Sequence, residues 1–338
     1  MNIGVLGAGS WGIALTKLLS GNGHMVTVWS IDKEEIAMLN EHREHLSKLP
    51  GVKISDNVTF TTDVEETCND KQMLVMVVPS PFIRSTAKTI APYITKEQII
   101  VNVSKGIEES TLMTLTEVIC DEIKDANVAN VAVLSGPSHA EEVGKGMPTT
   151  VVAGASTKEI AELVQDTFMS DYFRVYTSPD VTGIELGGAL KNVIALAAGI
   201  ADGLGCGDNA KAAIITRGIA EISRLGCALG GSESTFAGLS GIGDLIVTCA
   251  SKHSRNRNAG FLMGQGKTYK EALEEVKMVV EGVYSAKAAL KLSQKLNIEM
   301  PIVEMVNKIL FEDLSAKEAM VILLTRMKTA EDKDLLWK

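Results

Sequence analysis

The chain has 338 residues, 46% hydrophobic and 22% charged, with a net charge of −9. That length suggests two domains with room for real cores, and the acidity excludes an electrostatic binder of nucleic acid or of an anionic membrane. The five cysteines (Cys68, Cys120, Cys206, Cys227 and Cys249) are odd in number and never spaced as Cys-x-x-Cys, which suits reduced thiols and gives no metal site.

Met1-Asn-Ile-Gly-Val runs straight into a strand pattern without a secretory leader. No uninterrupted apolar run reaches the roughly eighteen residues of a membrane span. The expectation is a soluble cytoplasmic protein without membrane insertion.

Residues 2–6 read as a buried strand, followed at once by Gly7-Ala8-Gly9-Ser10-Trp11-Gly12 and a helix over about 11–19. G-x-G-x-x-G between strand and helix is a dinucleotide-binding arrangement. Gly7 permits the tight turn, Gly9 lets a pyrophosphate reach the backbone, and Gly12 lets helix and strand pack closely, with the helix N-terminus facing the phosphates. A second strand at 25–29 ends in Ser30-Ile31-Asp32. Asp32 stands twenty residues past Gly12, near the place of an NAD-type ribose contact, and could equally cap a helix beginning at Lys33. No arginine stands there for a 2′-phosphate, so the cofactor reading leans towards NAD. His42 and His45 read as two solvent-facing histidines.

Strands at 73–78 and 99–103 are continuous apolar runs, as in a parallel sheet covered on both faces. Ligands bind beyond the carboxyl ends of such strands, so Pro79, Ser104 and Lys105 fall where a site should be. Lys105 would supply a point charge for a phosphate or carbonyl oxygen. A strand at 131–134 ends in Ser135-Gly136-Pro137-Ser138-His139-Ala140, where small residues allow close approach. His139, with no orienting acid at obvious spacing, reads as peripheral. Strands at 149–153 and 173–176 finish the sheet, and Ser178-Pro179-Asp180 breaks the pattern. The expected architecture is α/β: a Rossmann-like, doubly wound domain over 1–180, then an all-helical substrate and catalytic domain over 181–338.

Helices are expected at about 182–204, 208–226, 269–276, 281–296, 301–310 and 315–323. In the first, the sixteen residues from Leu186 to Ala201 contain only two polar side chains, Lys191 and Asn192. Three and four positions from Lys191 stand Gly187, Gly188, Ile194 and Ala195, none of them an acid. Desolvation there would lower the lysine's pKa and prepare it for proton transfer. Taken alone, a lysine snorkelling from a core helix is the competing account. Further on, residues 238–244 bring Asp244 to the edge of an apolar run. Residues 251–258 form a cationic, amide-rich loop whose Arg255 and Asn256, just before a helix, suit a phosphate. A solvated basic loop is the alternative.

Together GAGSWG (7–12), VPS (78–80), SKGIE (104–108), LSGPSHAEEV (134–143), ELGGALKNVIALAAGIADGLGCGDNAKAAIITRG (185–218), LSGIGDLIVTC (239–249), SRNRNAG (254–260) and VEGVYSAKA (280–288) resemble the bacterial NAD(P)-dependent glycerol-3-phosphate dehydrogenases over almost the whole length. The resemblance implies interconversion of sn-glycerol 3-phosphate and dihydroxyacetone phosphate with NAD or NADP, supplying glycerol 3-phosphate for phospholipid synthesis. It implies Lys191 as the acid/base, with Lys105 and Asp244 in the catalytic centre. The substrate would meet these three together with Gly136, Ser138, Asn192, Thr248, Ser254, Arg255 and Asn256. Around the cofactor it implies Gly7, Gly9, Ser10, Trp11, Gly12, Lys105, Ala140, Arg255, Val279 and Glu281.

Ile31 stands where the family usually carries Arg or His, so NADPH preference does not carry over. The stretch Arg257-Asn-Ala-Gly260 is also less basic than the family's version. The apolar helical half is compatible with a homodimer. Two rivals fit parts of the pattern: a two-domain lysine-dependent dehydrogenase of hydroxy acids or sugar acids, and a nicotinamide-binding protein without turnover.

Overall fold

The computed structural model describes residues 1–124, 130–328, 330 and 331. Eight strands form one sheet: β1 (Asn2–Leu6), β2 (Met25–Trp29), β3 (Thr59–Thr61), β4 (Met73–Met76), β5 (Ile99–Asn102), β6 (Val131–Ser135), β7 (Thr149–Ala155) and β8 (Phe173–Ser178). They lie in the order β3-β2-β1-β4-β5-β6-β7-β8. The first six run parallel, β7 pairs antiparallel with β6, and β8 runs parallel to β7. From β1 the chain builds outward through β2 and β3, then returns to place β4 on the other side of β1. Such a reversal opens a crevice at the carboxyl ends of the two strands.

The central strands β4, β5 and β6 are buried at every residue. Ile3, Val5, Val75 and Val101 point into a core on one face, while Leu6, Leu74, Met76 and Ile100 point into a core on the other. Two features depart from the sequence expectation. β3 was not foreseen, because its three residues place a single buried Phe60 between two threonines. The reversed direction of β7 was also unread, since an apolar strand looks the same in either direction.

After Ser178 no strand follows among the described residues. The long helix Val181–Gly203 begins with its Asp180 cap, whose Oδ1 accepts from the Gly183 amide at 2.8 Å. The other principal helices are Gly207–Ala228, Arg255–Gly264, Tyr269–Val276, Glu281–Lys295, Pro301–Phe311 and Ala316–Leu324. Eighteen of the 23 residues of Val181–Gly203 are buried. By length and composition this helix could cross a membrane, which corrects the expectation that no stretch could, yet 94% of its apolar window is buried inside the protein. It is a core helix.

Glycines bring its neighbours close. Gly199 and Gly203 face Gly260 and Gly264 on the helix Arg255–Gly264. A Cβ on Gly199 would sit 2.0 Å from the Arg257 carbonyl oxygen, and one on Gly260 would sit 2.2 Å from that of Leu196. Backbone therefore lies on backbone. This contact fixes the spacing between the helix that carries Lys191 and the helix that opens with Arg255 and Asn256.

At the far end of β2, Asp32 caps the helix Lys33–His42, accepting from the amides of Glu34 at 2.9 Å and Glu35 at 3.2 Å. Capping is the task of this carboxylate here. His42 is exposed as expected, but His45 is not: it is 2% exposed, with Nε2 2.8 Å from Glu35 Oε1. Burial and a carboxylate partner overturn its solvent-facing reading. Burial pushes the Glu35 carboxyl up, but hydrogen bonds from His45, Lys48 and Ser30 outweigh it and bring the pKa down to about 2.

Candidate active site

The site is assembled from the turns after β1, β4, β5 and β6 at the sheet's carboxyl edge and from four helices of the second half. A wide π turn, Leu239–Gly243, delivers Asp244 as the first residue of the short helix Asp244–Ala250. Across from it, the long helix presents Lys191. The Lys191 ammonium donates to Asp244 Oδ1 and, at 2.6 Å, to Thr248 Oγ1. The Thr248 hydroxyl in turn donates to the Asp244 carbonyl oxygen at 2.6 Å. The second carboxylate oxygen of Asp244 accepts from Lys105 Nζ at 2.6 Å, and Lys105 also donates to the Gly136 carbonyl oxygen at 3.0 Å. One carboxylate thus bridges a lysine from the sheet edge and a lysine from the helical core.

Charge decides what this cluster can do. Lys191 is 6% exposed and Asp244 1%. Two cations on one anion leave one positive charge in surplus in a poorly solvated place, which favours an anion or a developing oxyanion. Burial is the largest influence on Lys191 and pushes its pKa down from 10.5 to about 8; Lys105 pushes the same way, while Asp244 opposes. Burial would raise the Asp244 carboxyl, but Lys105 and Lys191 outweigh it and hold it below the ordinary range. An ammonium has three donors, and two of those on Lys191 are committed. The third remains for a substrate oxygen.

Beside Lys191, Asn192 Oδ1 accepts from Asn256 Nδ2 at 2.9 Å, and Asn256 Oδ1 accepts from the Gly282 amide at 2.8 Å. Ser254 caps the helix Arg255–Gly264 by accepting from the Arg257 amide at 3.2 Å. Arg255 reaches the Val279 carbonyl oxygen at 3.4 Å. Glu281 takes the Ser80 amide at 3.0 Å and the Ser80 hydroxyl, joining the loop after β4 to the helix Glu281–Lys295. Burial pushes the Glu281 carboxyl up, with the Ser80 bonds and Arg255 partly offsetting it. Ser138 donates to the Gly136 carbonyl oxygen at 3.0 Å, and Ala140 opens the short helix behind it.

The expected residues therefore fall into three groups. Lys105, Gly136, Lys191, Asp244 and Thr248 are joined directly by hydrogen bonds. Ser138 joins this group through Gly136, with Ala140 next to it on the same loop. Asn192, Asn256, Ser254, Arg255, Val279 and Glu281 form a second set, held among themselves and to Gly282, Arg257 and Ser80, which meets the first where Asn192 follows Lys191 in the chain. Gly7, Gly9, Ser10, Trp11 and Gly12 lie at the turn from β1 into the helix Ser10–Gly21. There Gly7 has φ +125°, and a Cβ on Gly12 would lie 2.0 Å from the Gly7 carbonyl oxygen, whereas a Cβ on Gly9 would meet nothing within 4 Å. No side chain caps that helix. Open space over bare helix amides, at the crevice beside β4, fits the pyrophosphate of a dinucleotide.

The residue pattern by itself did not point to Thr248. Thr248 came only from the resemblance, although its spacing of four from Asp244 on an apolar helix was a usable signal. His139, read as peripheral, is half-buried on the loop after β6, and burial and next the charge of Lys191 lower its pKa.

The N-terminal stretch 2–161 matches the family description "NAD-dependent glycerol-3-phosphate dehydrogenase N-terminus", and 180–321 matches the corresponding C-terminus. A glycerol-3-phosphate dehydrogenase (NAD(P)+) of Agathobacter rectalis is 62% identical over 336 residues, covering 99% of both chains. That of Fusobacterium nucleatum is 57% identical over 331 residues, covering 98% of both. Among solved structures, glycerol-3-phosphate dehydrogenase from Coxiella burnetii superimposes with a TM-score of 0.92 at 35% identity, covering 96% of this chain and 99% of that one.

Proposed function

The chain belongs to the family of NAD(P)-dependent glycerol-3-phosphate dehydrogenases and catalyses that oxidoreduction, and we propose that Lys191 is the group that moves the proton. The bound nicotinamide supplies or takes up the hydride. In reduction, the uncommitted N–H of Lys191 donates to the carbonyl oxygen of dihydroxyacetone phosphate as charge gathers there. In oxidation, the neutral amine accepts a proton from the C2 hydroxyl of glycerol 3-phosphate. Asp244 and Thr248 hold the amine in place, and Lys105 adds positive charge beside the same oxygen. Arg255 and Asn256, with nearby backbone amides, take the phosphate; Asn192 locks Asn256.

One observation carries this reading. A lysine enclosed in a core helix has two donors fixed and a pKa brought down to about 8, within reach of working pH. Lys191→Ala is expected to lower kcat by about 10² to 10⁴-fold while NADH still binds, measured by fluorescence titration. Turnover near that of the parent would remove Lys191 from the role.

We also read the enzyme as preferring NADH. Ile31 at the end of β2 is 82% exposed, the Glu35 carboxylate accepts from the Ser30 hydroxyl, and the Asp32 carboxylate is fixed as the cap of the next helix. Lys48, nearby, is already bound to Glu35. A 2′-phosphate would enter a place where negative charge is already fixed.

A further inference from the structure

His139 borders the site without a task in the scheme above. It precedes the helix Ala140–Gly144 on the loop after β6, and its ring lies 6.1 Å from that of His253, tilted by 55°. Its Nε2 is buried and has no hydrogen-bond partner among the described residues. The ring's other N–H faces the backbone carbonyl of Val247, which lies on the helix that carries Asp244 and Thr248. The imidazole is therefore tied to the element that holds Lys191.

A ring that gives its Nδ1 proton to a carbonyl and stays neutral presents a lone pair at Nε2. Burial, and next the charge of Lys191, favour the neutral form. Nε2 is then an acceptor, and leaving a buried acceptor unmatched is costly. A phosphate dianion offers it no proton, but a hydroxyl does. Both dihydroxyacetone phosphate and glycerol 3-phosphate carry a free primary hydroxyl next to the reacting carbon. His139 follows Gly136, whose carbonyl takes Lys105, and Ser138, and it lies within the fields of Lys191 and Asp244, so the ring stands at the edge of the same site.

We propose that His139 Nε2 accepts a hydrogen bond from the free primary hydroxyl of the substrate, making His139 a specificity-determining residue for hydroxymethyl ketones. The proposal rests on the reading of Lys191 and its substrate given above. Its test compares kcat/KM for dihydroxyacetone phosphate with that for acetol phosphate, which carries methyl in place of hydroxymethyl and keeps the phosphate. A site built to bond a hydroxyl should favour the first by about 10³-fold or more. His139→Leu should then lower the rate on dihydroxyacetone phosphate by about 10² to 10³-fold and change that on acetol phosphate by less than about threefold.

A wild-type enzyme that uses both ketones equally overturns the proposal, as does a His139→Leu variant that loses both activities in parallel, which marks a structural or phosphate-binding role. If His139→Leu does not fold, His139→Gln, which keeps an acceptor, should retain at least about a tenfold preference; loss of that preference in a folded Gln variant also overturns it. Failure of the wild-type protein to reduce dihydroxyacetone phosphate at all would instead strike the parent reading.

Discussion

Lys191 shows how far a single residue can be read from its neighbours in sequence and where that reading stops. Its isolation among small apolar residues was visible, and so was the absence of an acid one helical turn away. Its actual partner, Asp244, lies 53 residues further along and is brought near only by the packing of two helices. Spacing cannot supply that contact, and the bridge from Lys105 through Asp244 to Lys191 was equally hidden. The same limit applied to His45, where burial and Glu35 decided a role that a polar local sequence disguised. At the cofactor end, the exposed Ile31 and the fixed carboxylates beside it make a direct prediction. The ratio of kcat/KM with NADH to that with NADPH should exceed one, and Ile31→Arg should shift it towards NADPH by about 10 to 100-fold, the worth of a charged hydrogen bond. An unchanged ratio in the variant would place the discrimination elsewhere.

Within the elements, glycine position separates folding from binding. Gly12 is packed against the Gly7 carbonyl, whereas Gly9 faces open space with extended backbone that alanine can adopt. Gly12→Ala should therefore destabilise the protein by about 1–3 kcal/mol through overpacking. Gly9→Ala should leave the melting temperature nearly unchanged yet weaken NADH binding by about tenfold or more, because its methyl occupies the place of the pyrophosphate. Equal melting losses in the two variants would contradict this division of labour. The first βαβ unit was legible because a strand, a glycine pattern and a helix follow one another in sequence. The short helices Glu233–Phe236 and Asp244–Ala250 were not, since the glycines between them carry poor helix propensity. The glycine contact between the long helix and Arg255–Gly264 was unreadable for a related reason: its residues weaken each helix alone and pay back only when the two are packed.

For the whole molecule, the cores divide along the chain. The two cores on the sheet's faces draw their buried residues from positions up to Val175. The helical core draws on residues from Leu186 onward, with Ile107 as its contribution from the sheet side. Polar contacts cross between the halves: Lys105 to Asp244, Ser80 to Glu281, and Asn102 and Thr116 to Glu185. The division into 1–180 and 181–338 is accordingly proposed as a division into separately folding units. A fragment of residues 1–180 should fold with a lower melting temperature than the full chain, bind NADH more weakly, and reduce nothing. Loss of its circular-dichroism signature and of all NADH binding would show that the sheet depends on the helical half.

The pH dependence of kcat/KM tests the central claim about Lys191 most directly. Burial brings its pKa down from 10.5 to about 8, so the ammonium needed for reduction is present below that value and lost above it. Reduction of dihydroxyacetone phosphate should fall about tenfold per pH unit above the pKa, while oxidation of glycerol 3-phosphate should rise to a plateau through the same pH. A reduction rate that stays level to about pH 10, where an ordinary lysine would still be charged, would contradict the account.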